Sequence, residues 1–151
     1  MKGVAERQHA ARIVRYPSLY QAARSTTRQQ PGVCSIMYHD VIEKGDYDAS
    51  GFPGAHARIY KLEKSTFELH LEAIKRARSV RRCEGWHDHC LLTFDDGGVS
   101  ALSQVAPLLE RNGWRGHFFV ATDWIGRPGF LTADQIRDLD RRGHLIGSHS
   151  C

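Results

Sequence analysis

The chain has no run of 18 apolar residues, so no part of it reads as a membrane-spanning helix. Its first thirty residues lack the continuous apolar core of a secretory signal. Its four cysteines (Cys34, Cys83, Cys90, Cys151) form no C-x-x-C pair and no dense spacing. That argues against both a zinc knuckle and a disulfide framework, and makes reduced thiols in a cytoplasmic protein the expectation. Charge of one sign does not dominate either: the net charge is only +4. Much of the positive charge falls on Lys2, Arg7, Arg12, Arg15, Arg24 and Arg28, and on Lys75, Arg76, Arg78, Arg81 and Arg82. Neither run is interleaved with aromatics as a nucleic-acid platform would be, so no nucleic-acid partner is expected. A loose tail and a solvated helix face account for the two runs.

Within those limits, 151 residues suit one domain, large enough to bury about 70% of its unfolded surface. Hydrophobic residues at 41% and charged residues at 25% are ordinary for a soluble globular protein. Residues 1–31 read as a basic, weakly patterned extension that Pro31-Gly32 closes off. Being Arg-rich and almost free of acid, the extension resembles an organelle transit peptide, although a disordered or weakly helical appendage fits equally well. Residues 32–151 read as the folded unit.

The most informative stretch is Leu91-Leu92-Thr93-Phe94-Asp95-Asp96-Gly97-Gly98. Apolar, β-branched and aromatic residues read as a short buried strand. Asp and Gly are poor strand formers, so the chain turns after Phe94 and leaves both acids at the strand's carboxyl end. Ligands bind at those ends in parallel α/β folds. Adjacent residues at a strand end point in different directions, so one acid can bind a metal while the other takes a proton. On its own, Asp-Asp-Gly also reads as a plain acidic turn.

Around that stretch the pattern alternates. Val33-Cys34-Ser35-Ile36-Met37-Tyr38 is a first strand, with His39-Asp40 at its carboxyl end. Residues 45–60 form a loop rich in Gly, Pro and Asp, whose Tyr47, Phe52 and Tyr60 either stack on a sugar ring or pin the loop to the body. Ser65-Thr66-Phe67-Glu68 reads as a capping box opening a helix of about four turns. Trp86-His87-Asp88-His89-Cys90 looks like a metal cluster but approaches the amino end of the central strand, away from the expected site. Residues 100–111 form a helix in which Pro107 predicts a kink or restart. His117-Phe118-Phe119-Val120-Ala121 is the next strand, and residues 123–130 are a Gly/Pro loop. Thr132 with Gln135 forms a capping box, and Leu131 with Ile136 a hydrophobic staple. The helix they open stops at Gly143, and His144-Leu145-Ile146-Gly147-Ser148-His149 is a last strand. Strand and helix alternate with short connections, which predicts α/β architecture from parallel βα units, in a sheet or barrel. His39, Asp95, Asp96 and His149 then share one rim.

Thr93-Phe94-Asp95-Asp96-Gly97, a helix, an aromatic strand and then Gly147-Ser148-His149-Ser150 together resemble the polysaccharide deacetylases, carbohydrate esterase family 4. Met37-Tyr38-His39-Asp40-Val41 is similar to the start of many members, so the resemblance runs from about residue 33 to the end. It implies a distorted (β/α) barrel, of which the strands counted here are roughly the first half. It implies Asp95 as catalytic base, and Asp96 and His149 as ligands of a divalent metal, usually zinc. Tyr38, His39 and Phe52 are candidate substrate contacts. The family's second motif, H-S/T-x-x-H, carries a further histidine two positions beyond Cys151, and later motifs also lie beyond that point. The 151 residues alone are therefore expected to be metal-poor and inactive, and to need the missing C-terminal half of the domain. The expected substrate is an N- or O-acetylated polysaccharide or oligosaccharide. Two other readings remain open: a hydrolase of another amide on the same scaffold, and an inactive fragment or sugar-binding remnant.

Overall fold

A computed structural model of the chain describes residues 33–83 and 89–150. The basic extension, its Pro31-Gly32 boundary, the Trp86 to Asp88 part of the histidine-rich segment, and Cys151 lie outside the described residues. In chain order the strands are β1 (Val33–Tyr38), β2 (Asp40–Ile42), β3 (Lys61–Glu63), β4 (His89–Phe94), β5 (His117–Val120) and β6 (Leu145–Ser148). The helices are α1 (Lys64–Cys83), α2 (Ala106–Arg111) and α3 (Ala133–Arg141). Four strands form one sheet in the order β1-β4-β5-β6, and every pair in it is parallel. The alternating βα pattern requires this arrangement, because a crossover through a helix returns the chain to the same end of the sheet.

The register fixes the functional rim. Tyr38 pairs with Phe94, Phe94 with Phe118, and Val120 with Ser148. Residues 39, 95 and 149 each follow a strand end, so the sheet delivers them to one side. Beneath them, Tyr38, Phe94 and Phe118 stack across three strands with centroids 5.6 and 5.2 Å apart, and Phe67 from α1 meets Tyr38 edge-on at 5.1 Å. With Leu109, Leu131 and Leu139 these rings form the buried core. Burying such a side chain contributes roughly 1.5–3 kcal/mol each.

Two helix starts separate what local signals decide from what tertiary structure decides. Thr132 Oγ1 accepts from the Gln135 amide at 3.3 Å while Gln135 Oε1 accepts from the Thr132 amide at 2.8 Å, the capping box read from the sequence. Gly143, at φ 85°, follows the end of α3 in a left-handed turn. The Ser65 cap needs correcting: α1 begins at Lys64, directly off β3, and runs 20 residues rather than about four turns. Glu68 instead faces Arg111 at 3.5 Å. The β2–β3 pair explains the shift, since the strand delivers Lys64 into the helix without a free cap position. Pro107 has the expected effect. A wide π-turn over Ala101–Val105 gives way to α2, with Pro107 in its first turn, where the missing N–H costs nothing.

At the opposite end of the sheet, Glu110 joins α2 to the segment after α3. It accepts from Arg142 Nε and Nη2 at 2.8 and 2.9 Å and lies 3.0 Å from His144 Nε2. The Gly116 amide donates to His144 Nδ1 at 3.1 Å, which leaves the imidazole proton on Nε2 to face Glu110. Burial pushes the His144 pKa down, and the Arg142 hydrogen bonds hold the Glu110 pKa down.

Candidate active site

The turn after β4 is built by backbone more than by side chains. The Asp95 amide donates to the Tyr38 carbonyl at 2.9 Å, which extends the β1–β4 ladder by one residue. Asp96 then adopts φ 71°, a left-handed conformation that Asp tolerates better than most residues. Its carbonyl accepts from Ala121 at 3.2 Å, and the Gly97 carbonyl accepts from Leu131 at 3.0 Å. Gly97 needs its missing side chain: a Cβ there would lie 2.8 Å from Val120 Cγ1. Gly97 thus lets the turn sit flat on the end of β5.

Asp40, the second half of the expected His39-Asp40 rim pair, points inward. Its Oδ1 accepts from Ser50 Oγ at 2.6 Å and from Ser100 Oγ at 2.8 Å. The Ser100 amide donates back to Ser50 Oγ at 2.8 Å, and the Val41 amide to Ser100 Oγ at 3.2 Å. All three residues are buried. A Cβ on Gly98 would fall 2.1 Å from Asp40 Oδ1, so only glycine fits against this knot. The knot joins the β1–β2 corner, the 45–54 loop and the chain just past Asp95-Asp96. Nothing in the sequence marked Ser50 or Ser100, because a buried serine reads like any other serine until its partners are known.

His39, Asp95, Asp96 and His149 do meet on the rim. The His149 amide donates to Val120 at 2.9 Å, and its Nε2 lies 3.4 Å from Asp96 Oδ1. The His149 side chain is 43% exposed and that of Asp96 19%. Burial raises the pKa of Asp95 above the usual carboxyl range. The nearby imidazoles of His149 and His39 pull it back, and the Asp96 carboxylate adds a smaller upward push. The ring of His39 rests on Tyr60, with centroids 4.8 Å apart.

Two expected substrate contacts are placed elsewhere. Tyr38 is 7% exposed and belongs to the core. Its hydroxyl lies 3.3 Å from His70 Nδ1, and burial raises its pKa to about 12. The β1–β4 register turns it beneath the sheet's rim, where it supports Asp95 through its backbone carbonyl. Phe52 packs edge-on against Trp124 at 4.6 Å and Phe130 at 4.9 Å, so it pins its loop to the 122–131 segment.

Among the described residues no group of three or more His, Cys, Asp or Glu side chains is arranged to hold a metal ion. The Asp96–His149 pair nevertheless has the right donors and the right separation. At 3.4 Å it is too long for a good hydrogen bond, for which about 2.7–3.2 Å is usual. Two ligands each about 2.0–2.1 Å from one tetrahedral ion lie roughly 3.3–3.4 Å apart. The pair fits two corners of a zinc-type site, and a catalytic site of that type takes a third protein ligand.

The fold and this rim define a class: a parallel α/β domain that gathers two acids and two imidazoles at the carboxyl ends of its strands. Comparison with known sequences makes the class specific, because residues 86–151 match the sequence model of the polysaccharide deacetylase family. The chitin deacetylase of Colletotrichum lindemuthianum is 37% identical over 60 residues, which take in 39% of this chain and 24% of that protein. A putative polysaccharide deacetylase of Bacillus subtilis, YxkH, is 32% identical over 60 residues, 40% of this chain and 22% of that protein. Among solved structures, a de-N-acetylase from Aggregatibacter actinomycetemcomitans superposes with a TM-score of 0.58 at 18% identity, covering 78% of this chain and 53% of that one. IcaB from Ammonifex degensii gives 0.57 at 22% identity, covering 80% and 54%. The chain thus spans about half the length of these structures, and over that length it shares their (β/α) barrel fold, as the partial parallel sheet shows.

Proposed function

We propose that the protein is a metal-dependent hydrolase that removes acetyl groups from an N- or O-acetylated polysaccharide. The observation that carries this reading is the half-buried Asp95, its pKa raised, standing beside the Asp96–His149 pair on one rim. The deacetylase relatives support the same substrate class.

Asp96 and His149 would hold a divalent cation, with zinc favoured by the oxygen and nitrogen donors. Such a cation supplies Lewis acidity and brings the pKa of water from about 15.7 to about 7. The rest falls to the chain. Asp95 accepts the proton of the attacking water, and a raised carboxyl pKa suits that task because the base then operates closer to the working pH. The Asp95–Tyr38 backbone bond and the Gly97–Leu131 bond hold the acid's position through the reaction. His39 stands on the other side of Asp95 and, when protonated, lowers its pKa. Water adds to the acetyl carbonyl, the C–N or C–O bond breaks, and acetate and the free sugar amine or hydroxyl are released.

The test is acetate release by the full-length protein from acetylated glucosamine and xylose polymers, comparing wild type with Asp95→Asn. The variant should retain the wild-type metal content and lose at least a hundredfold in kcat. Equal rates for the two proteins would remove Asp95 from the reaction.

A further inference from the structure

Among the described residues, Tyr60 is the one large aromatic that stays exposed, and this reaction does not use it. The parallel register of β2 and β3 pairs Asp40 with Lys61, which sets the preceding residues, His39 and Tyr60, side by side. Their rings meet at 4.8 Å with an interplanar angle of 40°. Three aromatics in the 45–60 segment have an equal claim to a sugar ring on sequence alone, and the structure separates them. Tyr47 lies under the Arg58 guanidinium, 5.2 Å from its centroid, and Phe52 is wedged against Trp124 and Phe130. Tyr60 alone of the three stays 55% exposed, with the exposed Ile59 beside it.

The backing of that ring is firm. Lys61 Nζ donates to the carbonyls of Tyr47 and Ser50, each at 2.5 Å, and so ties the residue after Tyr60 to the loop. Asp40, the residue after His39, is fixed in the buried knot with Ser50 and Ser100. A ring already held in place loses little further freedom when it binds, which is what makes an aromatic an effective contact. His39 follows the end of β1 as Asp95 follows the end of the neighbouring β4, so the open ring that rests on His39 lies on the rim that carries the acid.

We propose that Tyr60, seated on His39, is the stacking platform for a pyranose ring of the carbohydrate chain, beside the sugar whose acetyl group meets Asp95. The apolar C–H face of the sugar lies on the tyrosine π-face, and the sugar hydroxyls remain in water. This inference rests on the polysaccharide reading above.

The test is calorimetric titration of the full-length protein with the tetramer of N-acetylglucosamine, comparing wild type with Tyr60→Ala and Tyr60→Phe. Losing one ring contact should weaken binding roughly three- to tenfold in Tyr60→Ala. Tyr60→Phe keeps the ring and should bind within about twofold of wild type. On tetramer binding, proton resonances of the Tyr60 ring should shift while those of Tyr47 do not. Wild-type affinity in Tyr60→Ala, or no tetramer binding by wild type, overturns the proposal. Acetate release by the same samples keeps the two readings apart. Tyr60-dependent binding without acetate would sink only the hydrolytic reading. Acetate release with unchanged Tyr60→Ala affinity would sink only the platform.

Discussion

Replacing Ser100 by alanine removes one hydroxyl and strands two groups. Ser100 is 2% exposed, donates to Asp40 Oδ1 at 2.8 Å and accepts from the Val41 amide at 3.2 Å. A hydrogen bond to a charged group contributes about 1.5–3 kcal/mol, and a buried donor left without an acceptor costs about 1–3 kcal/mol. Asp40 keeps Ser50 as a partner and the site can relax, so the sum should fall short of simple addition. We expect about 3 kcal/mol of destabilisation, a drop in Tm of roughly 6–12 °C for a chain of this size. Ser103→Ala supplies the contrast. Ser103 is exposed and bonds only the Val99 carbonyl one turn back at 3.2 Å, so its loss should fall within about 0.5 kcal/mol. Urea unfolding followed by tryptophan fluorescence gives both midpoints and slopes. Similar small shifts for the two variants would refute the view that the Asp40 knot holds the corner beneath the rim.

Other outcomes follow from the same geometry. Gly98→Ala should destabilise by several kcal/mol, because its Cβ would sit 2.1 Å from Asp40 Oδ1 and 2.7 Å from Ser50 Oγ; an unfolding midpoint within 2 °C of wild type would contradict that contact. Stability should fall on the acid side. The folded pKa of His144 lies below its unfolded value of 6.5 and that of Glu110 below 4.5, so both contribute stability that is present above those values and lost as pH falls through them. Urea midpoints measured from pH 7.5 to 4 should therefore decline, and His144→Gln should flatten the decline just below pH 6.5; an unchanged slope would remove His144 from it. Asp95 has the opposite sign. Its folded pKa is raised, so its ionised form works against folding at neutral pH, and Asp95→Asn in metal-free protein should be at least as stable as wild type by thermal scan. A marked loss of stability in that variant would show that Asp95 serves the fold.

The strands and the rim were legible because their signals are local. Runs such as Leu91 to Phe94 and His117 to Val120 are apolar enough to be buried, and Asp95-Asp96-Gly97-Gly98 can only end a strand. Once the sheet is parallel, the shared rim of His39, Asp95, Asp96 and His149 follows from chain direction alone. The rest depends on pairing and on distant partners. β2 opens with Asp40, a poor strand former, and spans three residues, so no periodicity could reveal it. Without β2 and β3, neither the start of α1 at Lys64 nor the contact between His39 and Tyr60 can be inferred. Tyr38 is a candidate substrate contact in sequence, yet its ring packs against Phe67 and Phe94 in the core, partners that lie 29 and 56 residues further along the chain. Phe52 is pinned by Trp124 and Phe130, which follow it by more than 70 residues in the chain.

In the proposed function the Asp96–His149 pair holds a metal on which acetyl hydrolysis depends. That dependence is tested most directly by acetate release from an N-acetylated glucosamine polymer, measured on the full-length protein before chelation, after chelation and after zinc is returned. We predict that release is lost on chelation and restored by zinc in the wild type, and that zinc restores none of it to His149→Ala. Acetate release that persists unchanged through chelation, or that zinc restores to His149→Ala as fully as to wild type, would contradict the account.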